Sequence, residues 1–132
     1  MREKTYSNAE PSKWSVLNGE HLASVILRDN IEQEDETWSW DEYEMEVPKS
    51  KNLESKVEAD FDEWLARAKY QDEKKAEADV RAIRNDLLAE SDAMMISDRP
   101  SDKEAWATYR QALRDITKQA GFPYDVEFPA KP

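Results

Sequence analysis

Tyr43-Glu44-Met45-Glu46-Val47-Pro48, followed after a short polar gap by Leu53, Val57, Phe61, Trp64, Leu65 and Ala68, decides the fold class. Before the proline, apolar and acidic residues alternate, which puts Tyr43, Met45 and Val47 on one face of a strand. After it the apolar residues fall three or four apart, the spacing of one helical stripe. A change of period across a single proline predicts an α+β chain with strands first and helices after.

Upstream, Asn18-Gly19 is a hairpin dipeptide between Trp14-Ser15-Val16-Leu17 and the run Leu22 to Leu27. With Trp38-Ser39-Trp40 leading into Tyr43 to Val47, three strands are expected in a small antiparallel sheet. Downstream, Gln71-Asp72-Glu73-Lys74-Lys75 interrupts the stripe, which Ala76, Val80, Ile83 and Leu87 resume. No Gly or Pro breaks the stretch, so the expectation is an amphipathic helix or one long helical rod.

Arg99-Pro100-Ser101-Asp102-Lys103-Glu104 reads as a stop and a restart, with Ser101 and Glu104 at capping-box spacing. Trp106, Tyr109, Leu113 and Ile116 then form a second helical stripe able to pack on the first. Gly121 is expected at a left-handed C-terminal position. The last segment, Phe122 to Pro132, holds three prolines and is expected to be an extended tail. The resulting division is a β-rich domain over 1–48, an amphipathic helix or linker over 49–77, and a helical hairpin with its tail over 78–132.

The 132 residues suit one small domain with a helical module. With 37% charged residues and a mean hydropathy of -0.98, aromatic residues must supply much of the core. A net charge of -11 opposes binding to phosphate backbones. There is no cysteine, which removes disulfides and thiolate metal sites. Met1-Arg2-Glu3-Lys4-Thr5-Tyr6 lacks the apolar run of a signal peptide, and no segment is apolar for long enough to span a bilayer, so a soluble protein is expected.

Few residue constellations suggest chemistry. His21 stands alone in the predicted hairpin, and two glycines, Gly19 and Gly121, are too few for a phosphate-cradling loop. Acids run from Asp29 to Glu46 without an intervening Lys or Arg, but Ile31 and Gln33 occupy positions where a calcium loop needs oxygen ligands. A solvated loop or a face for a basic partner is the expectation there. Asp60 and Asp62, two apart on a helix, point to different faces and cannot share a proton. No catalytic residue, cofactor or metal ligand is assigned. The aromatic stripe of Phe61, Trp64, Trp106 and Tyr109 reads first as core, and any part left open would be a groove for another chain.

The most specific signal is Arg81-Ala82-Ile83-Arg84-Asn85-Asp86-Leu87-Leu88-Ala89-Glu90-Ser91-Asp92, then Asp98 and Pro100, then Trp106-Ala107-Thr108-Tyr109-Arg110-Gln111-Ala112-Leu113-Arg114-Asp115-Ile116, closing on Gly121-Phe122-Pro123. From about residue 78 to 132 the chain resembles the phage tail assembly chaperone family. The family pattern departs at Ala93, where an aromatic is usual, and at Phe128-Pro129, where Trp-Pro is usual. The resemblance implies a non-enzymatic protein of tail or tail-fibre assembly that binds a phage tail or tail-fibre protein, acting in the host cytoplasm during assembly. A permanent part of the tail, tail fibre or baseplate, retained in the virion, is the near alternative. An acidic decoy for a nucleic-acid-binding protein is the alternative from another class. Direct contact with nucleic acid or membrane is not expected. Trp106, Tyr109, Phe122, Tyr124 and Phe128 are the candidate partner-binding residues, with Trp106 assigned mainly to the core and the tail aromatics to binding. Arg81, Arg84, Arg110 and Arg114 are expected to join the two helices through Asp86, Glu90, Asp92 and Asp115.

Overall fold

A computed structural model describes residues 3–132. The elements run β1 (Thr5–Ser7), β2 (Trp14–Asn18), β3 (Leu22–Glu34), β4 (Thr37–Pro48), α1 (Leu53–Ala59), α2 (Phe61–Asp92) and α3 (Lys103–Arg114). Short 3-10 turns, Ala93–Met95 and Asp115–Lys118, follow α2 and α3. This is the α+β order that the period change at Pro48 implies. By its contacts the described chain divides into two compact units, one up to Asp72 and one from Glu73 onward, with α2 passing through the division.

In the first unit the sheet has four strands in the order β1-β4-β3-β2, every neighbouring pair antiparallel. β1 has only three residues, too short to show a period. Pairing places Trp14, Val16, Val25, Leu27, Tyr43 and Met45 on one face through the partners Trp14↔Leu27, Val16↔Val25, Leu27↔Tyr43 and Val25↔Met45. Leu53 and Val57 of α1 and Leu65 and Ala68 of α2 close this face into the core. The stripe read from the sequence is therefore the one that packs. The helix is not continuous through it, however, because Asp60 leaves helical geometry with ψ 37 and separates α1 from α2. α2 does continue through Gln71–Lys75 without a break.

Of the two expectations for the acidic stretch, a solvated loop or a face for a basic partner, the loop is replaced by the β3–β4 ribbon. Thr37, Trp38, Trp40, Tyr43 and Val47 give it enough strand-favouring residues to pair along its length, and only Asp35-Glu36 separates the strands. Asp35 takes φ 56 in that turn, and Asn30 takes φ 51 where the register shifts between Asp29 and Glu32. Asp and Asn are among the few residues that enter this region at low cost.

The chain between β1 and β2, residues 8–13, has to cross β4 and β3, because those two strands lie between its ends. It crosses the face opposite the helices, where Arg28 receives it. The guanidinium Nη1 donates to the Ser12 carbonyl (3.1 Å) and to Ser15 Oγ (2.9 Å), while Nε donates to Glu42 (3.1 Å). Trp40 lies beneath, 6% exposed, with the guanidinium 6.0 Å from its ring centre. Gly19 turns the β2–β3 hairpin without a positive φ; its N–H donates to the Leu22 carbonyl (2.8 Å), and a Cβ would sit 2.9 Å from that oxygen.

In the second unit Val80, Ser91, Tyr109, Leu113 and Ile116 are buried. The capping box at Ser101 and Glu104 does not form. Asp102 is the N-cap, its carboxylate accepting from the Ala105 N–H at 3.0 Å, because the Ser101 hydroxyl is engaged by the Met94 carbonyl at 2.7 Å. Gly121 is not left-handed either. It is required by proximity, since a Cβ there would fall 2.1 Å from the Asp125 carbonyl oxygen. Asp102→Ala is expected to destabilise the second unit by about 0.5–2 kcal/mol, read as a lower denaturation midpoint for α3.

Lys69 of α2 donates to Asp29 of β3, which ties helix to sheet. That hydrogen bond, before any other influence, holds the Asp29 carboxyl below its ordinary 3.8 and the Lys69 ammonium above its ordinary 10.5. The unfolded chain binds more protons at Asp29 near its ordinary value, so the stabilisation is present above that pH and disappears as pH falls through the lower folded value. At the other end it disappears as pH rises past 10.5 through the raised Lys69 value. Both groups are partly solvated, so Asp29→Asn is expected to cost about 1 kcal/mol or less near neutral pH. Denaturation of the two proteins should converge at both pH extremes.

Candidate partner-binding surface

The second unit is organised by one side chain. Arg110 projects from α3, and its Nη1 lies 2.8 Å from the Leu88 carbonyl, 2.6 Å from Ser91 Oγ and 2.7 Å from Asp92 Oδ1. Two hydrogens cannot serve three acceptors separately, so one is shared. Ser91 in turn donates to the same Leu88 carbonyl (2.8 Å) and is 1% exposed. Among the four arginines expected to join the helices, Arg110 is the one seen to bridge α3 to α2. Arg81 pairs with Glu77 one turn back, which holds the Glu77 carboxyl below its usual range, and Arg84 reaches Asn85.

The candidate residues are distributed unequally. Tyr109 is buried at 4% exposure and meets Trp106 edge to face, with ring centres 5.5 Å apart. Trp106 is half-buried beside it. Phe122 is half-buried, with the Arg81 guanidinium 5.4 Å from its ring centre, and precedes a cis proline, Pro123, that is itself buried. Tyr124 is exposed. Phe128 is half-buried. The geometry thus separates a Trp106–Tyr109 pair from a Phe122–Tyr124 turn.

The tail beyond that turn has no regular structure but is anchored. Gln119 clamps Glu127 through two hydrogen bonds, its amide donating to the Glu127 carbonyl (2.9 Å) and its carbonyl accepting the Glu127 N–H (2.8 Å). Farther on, Lys131 reaches Glu90 of α2 at 3.0 Å, and that hydrogen bond raises the Lys131 ammonium above its usual value. Sequence patterning could not show this docking, because it depends on single long side chains rather than on a period.

Between the two helices and the tail lies a groove of about 220 Å³, walled by Leu87, Ser91, Met94, Trp106 and Tyr109, with Glu90 and Lys131 at its rim. Sequence reading placed Trp106, Tyr109 and Leu87 on helical stripes but did not carry the wall on to Ser91 and Met94, because the glutamate at 90 interrupts the apolar spacing. Ile83, expected in the helical stripe, is 49% exposed instead. The buried residues of this half are Val80 and Ser91, so the packed face is rotated away from Ile83. His21 is exposed in the β2–β3 turn, with Glu20 as its neighbour at 3.8 Å. Among the described residues no group of acids and histidine has the arrangement of a metal site, and no helix is long and apolar enough to cross a membrane.

The second unit is thus a module of two helices, clasped by an arginine and strapped by its own tail. Residues 77–132 match the family described as phage tail assembly chaperone protein. The match supports a role in phage tail assembly and leaves residues 1–76 outside it. No curated protein and no solved structure matches the chain. The resemblance motifs meet in space at Arg110, since Ser91-Asp92 closes one and Tyr109-Arg110 lies within the other. Arg110→Ala is expected to destabilise the second unit by about 1.5–3 kcal/mol, the scale of hydrogen bonds to a charged group. Loss of protection at the Leu88 to Asp92 amides in hydrogen exchange would locate the effect.

Proposed function

We propose that this chain is a non-enzymatic phage tail assembly protein that binds a tail or tail-fibre protein while that protein is unassembled. The observation that carries the reading is the match over residues 77–132, together with the Arg110 clasp that joins its two motif segments. The accessible apolar groups of the module suit protein binding. Tyr124 projects from the 120–124 turn, and Ile83 and Ile96 are exposed on or near α2. Phe128 and Trp106 are half-buried and can gain area on contact. Tyr109 is already largely covered and serves chiefly to hold the fold and the packing of Trp106.

The test is affinity capture with the full chain during phage assembly, set beside protein analysis of purified virions. Capture of a tail or tail-fibre protein, with the chain absent from virions, is the expected result. Presence in virions at fixed stoichiometry would replace the assembly role with a structural one. Capture of only nucleic-acid-binding proteins, lost as salt rises, would favour the acidic decoy. Tyr124→Ala is expected to weaken capture by about 2 kcal/mol, the scale of an aromatic hot spot, with the denaturation midpoint measured alongside to show that the protein remains folded.

A further inference from the structure

We infer that the groove between α2 and α3 receives one apolar side chain from an extended segment of the partner protein, and that a basic residue of the same segment replaces Lys131 on Glu90. This rests on the protein-binding reading above and names its surface and the chemistry of its occupant.

Three observations on the second unit lead there. The groove holds about 220 Å³. Cofactor and drug-sized sites are commonly about 300–1,000 Å³, so this space suits a single anchoring side chain. Its walls include Leu87, Met94, Trp106 and Tyr109, which favour an aliphatic or aromatic occupant. The edge-to-face packing of Trp106 on Tyr109 fixes one wall, and the Arg110 clasp on Leu88 and Ser91 fixes the other. The space is therefore preformed, which reduces the ordering cost of binding.

Charge at the rim selects the rest of the occupant. Glu90 carries the negative charge there and is already met by a lysine, Lys131, from the chain's own tail. Asp92, two residues beyond Glu90, is committed to Arg110 and does not compete. The tail shows how such a segment can lie: Gln119 holds its backbone at Glu127, Pro129 restricts it, and Lys131 ends on Glu90. Both partners of the Lys131–Glu90 pair keep more than half of their side-chain exposure, 56% and 59%. An exposed pair of this kind changes an equilibrium by no more than about fivefold, so a partner's cation can replace Lys131. The tail then acts as a strap that yields to a segment of like chemistry and disfavours acidic ones.

The probe is the peptide acetyl-Phe-Pro-Ala-Lys-amide, patterned on Phe128 to Lys131, titrated into the full-length protein and followed by NMR. Its counterpart carries glutamate in place of lysine. Saturable shifts at the Trp106 indole N–H and the Met94 methyl are expected with the lysine peptide, with at least tenfold weaker response to the glutamate peptide. Glu90→Gln should weaken the lysine peptide at least threefold, while Lys131→Ala should strengthen it by roughly two- to fivefold by freeing the rim. Neither substitution should move the denaturation midpoint appreciably, since both side chains are largely in solvent. Equal binding of both peptides, shifts confined to other surfaces, or no saturable response in the Lys131→Ala protein at millimolar peptide would overturn the assignment. The measurement uses no tail or tail-fibre protein. Its failure with capture of a tail protein intact would discard the groove alone, whereas its success with capture lost would discard the assembly reading alone.

Discussion

The hold of Arg110 on α2 is the interaction on which the helical module depends. Short amphipathic helices are marginal by themselves, and α3 is only 12 residues long. It offers Tyr109 and Leu113 to the interior, joined by Ile116 from the turn that follows, a thin apolar face. One guanidinium adds what that face lacks, because it satisfies the Leu88 carbonyl and the buried Ser91 hydroxyl together while Asp92 balances its charge. An apolar residue at 110 would leave the Ser91 hydroxyl with the Leu88 carbonyl as its remaining partner and Asp92 without its cation, so the tie between the helices would be lost.

From that clasp the remaining features of the second unit follow in order. With α3 fixed against the Leu88–Asp92 turn of α2, Trp106 and Tyr109 stand opposite Leu87 and Met94, and a groove is left between them. Gly121 then lets the chain reverse, since any Cβ would collide with the Asp125 carbonyl, and the tail returns to Gln119 and Glu90. The match to phage tail assembly chaperone protein covers this same region. The first unit has a parallel device in Arg28, which pins the 8–13 crossing on the helix-free face and packs over Trp40. In both units a half-buried arginine does by hydrogen bonding what a larger apolar core does elsewhere, in keeping with a chain that is 37% charged.

Some of this was legible in the residues. The alternation of Tyr43, Met45 and Val47 and the spacing of Leu53, Val57, Leu65 and Ala68 gave the sheet, the helices and their mutual faces, because periodic apolar placement has few ways to be buried. The ordered motif segments from Arg81 to Ile116 gave the family resemblance. The length of the β3–β4 ribbon was not legible, since a run of acids reads as solvent-seeking unless its strand partners are known. The cap was displaced by one residue for a related reason: Ser101 and Asp102 are both competent, and the choice fell to whichever was not taken by the Met94 carbonyl.

By itself, the sequence determined the α+β order, the helical stripes, the absence of thiol chemistry and the motif that marks the C-terminal region. Only the tertiary structure decided that Arg110 rather than its three fellow arginines joins the helices, that Tyr109 is buried while Tyr124 keeps more of its surface in solvent, and that the tail lies back on Glu90. Periodicity is a local property that a chain carries in its residue spacing. Which long side chain meets which carbonyl or carboxylate depends on distances between segments far apart in the chain, and those exist only after folding.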